Sequence, residues 1–102
     1  MIGIRPSQLA RMGQFHLEEA VLDVLLESKH EDECIGAAEI SRRAGIFRDR
    51  GVVDIMSDAI TTGLLVKLHS EGRVERCTQS HTNRGGWELT DSEFAFRRDD
   101  VR

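Results

Sequence analysis

The second half of the chain contains the pattern that most restricts its fold, an amphipathic helix followed at once by two short strands. The helix is predicted over IMSDAITTGLLVKLHSEG, residues 55–72, with Asp54 as its N-cap. Ile60, Leu64 and Leu68 recur every four residues, with Met56 one step earlier. At about 100° per residue this spacing places these side chains on one face. Gly72 stands where helices commonly end in a left-handed residue, so the helix is expected to stop there.

After the helix the apolar pattern takes the period of a strand. Residues 73–78 and 87–90 are the predicted strands, and in the second Trp87 and Leu89 alternate with polar side chains. Between them, residues 83–86 are Asn-Arg-Gly-Gly, which supplies the backbone conformations of a tight turn. The two strands are therefore expected to pair as a β-hairpin.

Two more helices are expected before this stretch. Residues 15–29 and 37–45 carry helical apolar spacing, and residues 34–36 between them have the length of a short strand. Ahead of them, residues 1–14 are predicted to form an N-terminal arm, in which Pro6 separates an extended part from a short helical turn.

The first predicted helix carries two apolar stripes, whereas a surface helix needs only one. One stripe consists of Leu17, Ala20, Val21, Val24 and Leu25, and the other of Phe15, Leu22 and Leu26. Either the N-terminal arm or the C-terminal tail covers the second stripe, or that stripe is the seam of a homodimer. The sequence leaves both interpretations open.

The end of the chain predicts one more short helix. Residues 90–93 match a capping box, in which Thr90 and Glu93 satisfy each other's backbone N–H groups. The helix is expected to start near Asp91, with Phe94 returning to the core and Phe96 covering the second stripe. The predicted organisation is an arm over residues 1–14, a domain over 15–90, and a C-terminal helix and tail over 91–102.

The charge of the chain is uneven. A chain of 102 residues suits one domain with a modest core, and 39% hydrophobic and 31% charged residues are typical of a soluble globular protein. The net charge of -4 comes from residues 1–36, with three Arg or Lys against seven Asp or Glu, while the remainder is balanced. The sequence lacks the strong excess of basic residues that is typical of nucleic-acid-binding domains. A local basic patch can nevertheless attract DNA at short range.

The cysteines and histidines give one metal-like spacing. His30 precedes Cys34 by four residues, as Cys77 precedes His81, and zinc accepts two residues of each type. Because the return strand is expected between the strands that carry the cysteines, we predict two separate thiols and no metal or cofactor. Two cysteines make no disulfide framework, and no targeting or membrane-spanning segment is recognisable, so a cytoplasmic location is predicted. Catalytic motifs are also absent from the sequence, so no enzyme activity is predicted.

Three segments carry a family resemblance. They are AAEISRRAGI in the second helix, LLVKLHSEGRVER at the end of the third helix, and GGWELT in the return strand. Leu65, Leu68, Gly72 and Val74 follow a Leu-x-x-Leu-x-x-x-Gly-x-Val spacing. Over residues 15–90 this order of segments resembles the winged helix-turn-helix superfamily of bacterial and archaeal transcription regulators. The resemblance implies an α+β fold with a three-helix core, a small antiparallel sheet that forms the wing, and a short C-terminal helix.

The resemblance also implies binding to double-stranded DNA, by a small transcription regulator or the DNA-reading module of a larger system. The third helix would enter the major groove and the wing would lie at the backbone or minor groove. The predicted DNA contacts are Arg42, Arg43, Arg48, Arg50, Thr61, Thr62, Lys67, Asn83 and Arg84. The outward face of the third helix would hold Ile55, Asp58, Ala59, Thr62 and Val66. This face lacks the Arg, Asn and Gln side chains that usually read base edges.

Two alternatives stand beside DNA binding. In the first, three of these arginines form a solvated surface of charge pairs instead of contacting phosphate. The expected pairs join Arg42, Arg43 and Arg50 to Glu39, Asp49 and Asp54. In the second, the winged helix binds another protein and no DNA, because an exposed face with Ile55, Ala59 and Val66 suits a protein surface better than a DNA groove.

Overall fold

The structure is a computed structural model that describes residues 5–46, 54–79 and 84–100. Within these ranges the chain forms an α+β arrangement of four helices and a two-stranded antiparallel sheet, compatible with a small winged-helix-like fold. The elements are α1 (Pro6–His30), α2 (Ala37–Ala44), α3 (Asp54–Ser70), β1 (Val74–Thr78), β2 (Gly85–Leu89) and α4 (Asp91–Asp100). Their order along the chain is the predicted one. In the described part of the chain no helix has both the length and the apolarity to cross a membrane.

The first helix is longer than predicted, because Pro6 begins it instead of interrupting an arm. Proline suits the first helical position, where its fixed φ is already helical and its missing N–H would have had no partner. The side chain of Gln8 also accepts a hydrogen bond from the backbone N–H of Arg5 at 2.9 Å. The helical turn expected after Pro6 is therefore present, but it continues without a break into the first helix.

Both predicted glycine stops are confirmed. Gly45 follows α2 with φ 70° and Gly72 follows α3 with φ 76°, the left-handed region that favours glycine. In each case the next residue closes the helix end, since Ile46 N–H donates to the carbonyl of Ser41 at 3.2 Å and Arg73 N–H donates to that of Leu68 at 3.0 Å. These bonds fix the direction in which the chain leaves each helix.

Strand β2 lies between two neighbours. It pairs antiparallel with β1, with Arg76 opposite Trp87, and on its other side Trp87 N–H donates to the carbonyl of Ile35 at 2.8 Å. Ile35 is thus the short extended piece predicted between the first two helices. The sheet contact joins the connection between α1 and α2 to the hairpin.

One buried apolar cluster holds the elements together, and helix α1 contributes both of its stripes to it. The side chains of Leu22 and Leu26 are 0% and 8% exposed inside the chain, so they are not available to a second copy. The predicted homodimer seam is wrong for these two residues, and only Phe15 of that set is exposed. The cluster comprises Val21, Leu22, Leu25, Leu26, Ile35, Ile40, Ile46, Leu64, Leu65, Leu68, Val74, Trp87 and Leu89.

Helix α4 covers part of α1. Phe94 packs against the apolar cluster, as predicted, and its ring also meets the His30 ring edge-on at 5.2 Å. Phe96 is 67% exposed, so the expectation that it covers the second stripe is wrong. The predicted capping box is half formed, because the Glu93 N–H donates to Thr90 Oγ1 at 3.3 Å. The Glu93 carboxylate bonds to arginines instead, and the backbone N–H of Thr90 donates to the carbonyl of Arg73.

A disulfide joins Cys34 to Cys77, with 6.1 Å between their Cα atoms, so the prediction of two separate thiols is wrong. Strand β2 does lie between the two segments that carry the cysteines, as expected, but it does not keep them apart. Residue 86 of β2 is glycine, and a Cβ there would stand 2.6 Å from Cys34 Sγ. The missing side chain leaves room for the disulfide to pass over the strand.

Candidate nucleic-acid interface

The outer face of α3 is apolar. Met56 and Val66 are 55% and 56% exposed, so the expectation that Met56 belongs to the inner stripe is wrong. Ala59, Thr62 and Gly63 on the same face are also exposed. These five residues are named the α3 outer face below. It carries no cation, which agrees with the sequence expectation for Ala59, Thr62 and Val66, and Asp58 is only half-exposed beside it. A hydroxyl at Thr62 is the polar group that this face offers to a nucleic acid.

Thr61 does not reach the surface. Its side chain is 0% exposed on the inner side of α3, together with Ser57, Leu65 and Leu68. The prediction of a DNA contact at Thr61 is therefore wrong, since the inner stripe of the helix is one residue wider than the Ile60, Leu64, Leu68 spacing indicated. The buried Thr61 Oγ1 finds no hydrogen-bond partner among the described atoms.

The two arginines of α2 share a carboxylate. Arg42 Nε donates to Glu39 Oε1 at 3.0 Å and Arg43 Nε donates to Glu39 Oε2 at 2.7 Å, while Arg43 also reaches Glu33 at 3.2 Å. The hydrogen bonds from Arg42, and then from Arg43, lower the pKa of Glu39. The alternative of a charge-paired surface is confirmed at Glu39. The Arg42 side chain nevertheless remains 64% exposed and can face a second anion.

Lys67 is also engaged within the chain. Its Nζ lies 2.7 Å from the carboxylate of Glu71 and 3.0 Å from that of Glu18, which is 6% exposed. The hydrogen bond to Glu71, and then the one to Glu18, raise the pKa of Lys67. Lys67 thus serves first to neutralise Glu18, and a contact to phosphate would compete with two carboxylates.

Arg84 lies at the base of the hairpin, beside the beginning of α2. The two meet at a cleft of about 410 Å³. Its lining residues are Gly36, Ala37, Ala38, Glu39, Gln79, Arg84 and Gly85. Gln79 closes the hairpin base, since its backbone N–H donates to the carbonyl of Arg84 at 2.8 Å and its side chain donates to that of Gly85 at 3.1 Å. We call this place the α2–hairpin cleft.

The α2–hairpin cleft collects positive partial charge. Helix α2 begins after Gly36, which has no side chain to cap the first turn. The N-terminal end of a helix dipole attracts anions, and the exposed guanidinium of Arg84 adds positive charge. The carboxylate of Glu39 opposes this, but its bonds to two arginines offset its charge.

Other predicted contacts lie outside the described part of the structure. These are Arg48, Arg50 and Asn83. The zinc candidate His81, the charge-pair candidate Asp49 and the side chains of Asp54 and Ile55 also lie outside it. Cys34 and Cys77 form a disulfide, so neither can supply the thiolate ligand that the zinc spacing would need. Among the residues that the structure describes, no three His, Cys, Asp or Glu side chains lie close enough together to bind a metal ion.

Two features of the site were missed from the sequence. Gln79 was assigned only to the hairpin loop, and Arg76 was not singled out, although its guanidinium stacks 4.5 Å above the Trp87 ring. The strand register of the hairpin would have predicted the contact between Arg76 and Trp87, because the two residues are directly opposite each other.

In comparisons with known proteins, no protein family matches the chain, and no curated protein or solved structure matches it.

Proposed function

We propose that the chain is a winged helix-turn-helix protein that binds the backbone of double-stranded DNA, as a small transcription regulator or DNA-reading module. In this proposal α1, α2 and α3 form the helical core and the β1–β2 hairpin forms the wing. The observation that carries the proposal is the α2–hairpin cleft. It brings the N-terminus of α2 and Arg84 together, and a helix N-terminus and an arginine are the kinds of group that hold DNA phosphates.

The proposed binding depends on phosphate contacts more than on base recognition. The α3 outer face presents Met56, Ala59, Gly63 and Val66, with none of the side chains that make paired hydrogen bonds to base edges. Thr62 can pack against a thymine methyl group, which discriminates weakly. We therefore expect binding that is sensitive to salt and only weakly sensitive to DNA sequence.

A second candidate function is protein–protein contact without DNA. The observation that favours it is the same α3 outer face, because Met56 and Val66 together expose an apolar stripe along the helix. Exposed apolar stripes of this kind commonly mark protein-binding surfaces. In this case Arg84 would have no role in binding, which separates the two candidates.

The test is binding of a random-sequence duplex at low salt, measured by fluorescence anisotropy for the wild type and for Arg84→Ala. DNA binding through the cleft predicts that Arg84→Ala weakens affinity roughly three- to tenfold and lowers the slope of log K against log salt by about one. The matched control is Arg98→Ala, which removes an exposed arginine from α4 and should change both quantities less. Equal behaviour of the two variants, or no binding by the wild type, would leave protein contact as the better account.

The cytoplasmic location remains a prediction, and the disulfide argues against an ordinary reducing cytoplasm. Disulfides persist mainly in oxidising compartments, with intracellular proteins of hyperthermophiles as an exception. Trapping free thiols with an alkylating reagent at the moment of cell lysis would decide between a reducing and an oxidising environment. A cytoplasmic protein in a reducing cell should be alkylated at both Cys34 and Cys77.

A further inference from the structure

The beginning of α1 has no partner within the described chain. Every residue from 5 to 13 is exposed, and only at Leu17 and Glu18 does the helix become buried on one side. About twelve residues is the length at which a helix without packing is marginal in water, because helices in proteins are stabilised chiefly by packing their apolar face. A second surface is therefore expected to cover this part of α1.

The exposed segment carries its own apolar stripe. Leu9, Met12 and Phe15 are 54%, 49% and 57% exposed and follow one another at three-residue intervals along one side of the helix. We call these three residues the α1 stripe. Gly13 adjoins it, and a Cβ there would meet nothing within 4 Å, so the backbone is open to close approach by another helix.

The charges along α1 are complementary to themselves in the antiparallel direction. Arg5 precedes the stripe and Arg11 lies within it, and no acidic residue occurs from residue 5 to residue 17. Glu19 and Asp23 follow it, where both contact the guanidinium of Arg97 on α4, whereas Glu18 is buried against Lys67 and takes no part. When two copies lie antiparallel about a two-fold axis at Met12, Arg5 of one copy lies opposite Glu19 of its partner, and Leu9 lies opposite Phe15. A two-fold interface requires this kind of self-complementary patch.

We infer that the α1 stripe binds the same stripe of a second copy of this chain in antiparallel orientation. This dimer differs from the seam expected from the sequence, because Leu22 and Leu26 belong to the core and do not take part. A half-exposed side chain of this size leaves roughly 100 Å² of its surface accessible, so the three side chains of each of two copies would together bury about 600 Å². Flanking polar residues would add to this area, and a specific interface buries at least ~1,000 Å². The dimer is accordingly of moderate affinity. The inference does not depend on DNA binding, and its tests contain no DNA.

The first test is the mass in solution, measured by sedimentation equilibrium over roughly 10–500 µM, the range for an affinity of this class. The wild type should approach twice the chain mass of 11.5 kDa, and Met12→Glu should raise the dimer dissociation constant more than about tenfold. Val66→Glu is the matched control, since it places the same charge at an equally exposed apolar residue on α3. A wild type that stays at 11.5 kDa overturns the inference, as does dissociation by Val66→Glu but not by Met12→Glu.

The second test fixes the orientation. Single cysteines introduced by Met12→Cys and by Arg5→Cys are oxidised at equal concentration, with the native cysteines already joined to each other. The antiparallel dimer predicts a cross-linked dimer for Met12→Cys, which lies at the two-fold axis, and little for Arg5→Cys, whose copies lie at opposite ends. Equal cross-linking of both variants would indicate a parallel pair and overturn the inference. Circular dichroism of each variant verifies that it is folded, which is expected because both side chains are exposed.

Discussion

Gly86 lies directly beneath the sulfur of Cys34, so that a Cβ at residue 86 would stand 2.6 Å from that sulfur and 2.9 Å from the carbonyl oxygen of Ile35. The disulfide to Cys77 passes at this point, where Cys77 is paired with Gly86 in the hairpin. The hydrogen bond from Trp87 to Ile35 holds the backbones together beside it. The disulfide, the short extended segment and the hairpin therefore depend jointly on one residue without a side chain.

Gly86→Ala should destabilise the fold by about 2 kcal/mol or more, because the methyl group meets both a sulfur and a backbone oxygen that is held in place. Urea unfolding followed by circular dichroism measures the change. The matched control is Gly63→Ala, an exposed helical position where a Cβ meets nothing within 4 Å, which should be neutral or stabilising by up to about 1 kcal/mol. Equal stability of the two variants would contradict the close approach at Gly86.

Reduction of the disulfide should lower the free energy of unfolding by about 2–4 kcal/mol, because the link closes a sequence separation of 43 residues and restricts the unfolded chain. The measurement is urea unfolding with and without a thiol reductant. The Cys34→Ser, Cys77→Ser double variant should match the reduced wild type and show no response to the reductant. A wild type that is equally indifferent would show that no disulfide forms.

Glu93 should anchor α4 in a way that depends on pH. Burial alone would raise the pKa of Glu93, but hydrogen bonds from Arg73 and Arg97 outweigh it and lower the pKa below the ordinary value of 4.5. A carboxyl whose pKa is lowered by folding stabilises the protein above its unfolded pKa. That contribution is lost as the pH falls below 4.5 and through the lowered value.

Glu93→Gln is accordingly expected to cost about 1–3 kcal/mol at neutral pH, because it leaves the mostly buried Arg97 with fewer partners. It should also flatten the loss of stability below pH 4.5. Thermal unfolding between pH 3 and 7 tests both effects. Glu71→Gln, which removes an exposed carboxylate paired with Lys67, should leave stability nearly unchanged. Identical pH profiles for wild type and Glu93→Gln would refute the anchoring role.

Thr61→Val should be neutral or stabilise the protein by up to about 1 kcal/mol, since the buried hydroxyl has no hydrogen-bond partner and valine has nearly the same shape. DNA affinity should not change. Chemical unfolding and duplex binding measured on the same preparation test the two statements. A loss of affinity with unchanged stability would restore the sequence expectation that Thr61 contacts DNA.

Local patterns predicted the fold well because they act over a few residues. Gly45 and Gly72 end helices since both adopt positive φ, and Trp87 and Leu89 lie in the strand that their alternation indicated. Pro6 is ambiguous from sequence alone, because proline both breaks a helix interior and begins a helix. The choice depends on Gln8, whose side chain caps the backbone at Arg5.

The site was harder to predict because it depends on contacts between distant segments. Glu18 and Lys67 are far apart in sequence, and only the packing of α1 against α3 brings them within 3.0 Å. The disulfide likewise depends on the absence of a side chain at Gly86, on a strand that neither cysteine belongs to. Charge pairs one helical turn apart, such as Arg43 with Glu39, could be foreseen and were.

The most direct test of the proposed function is a titration of the ¹⁵N-labelled protein with a short random-sequence duplex, followed by amide NMR spectra at low salt. Binding at the α2–hairpin cleft predicts the largest shift changes at the amides of Ala37, Ala38 and Glu39 and at Arg84 and Gly85, with little change along α4. Spectra that do not change with DNA, or changes confined to α4, would contradict the proposal that the start of α2 and Arg84 hold the DNA backbone.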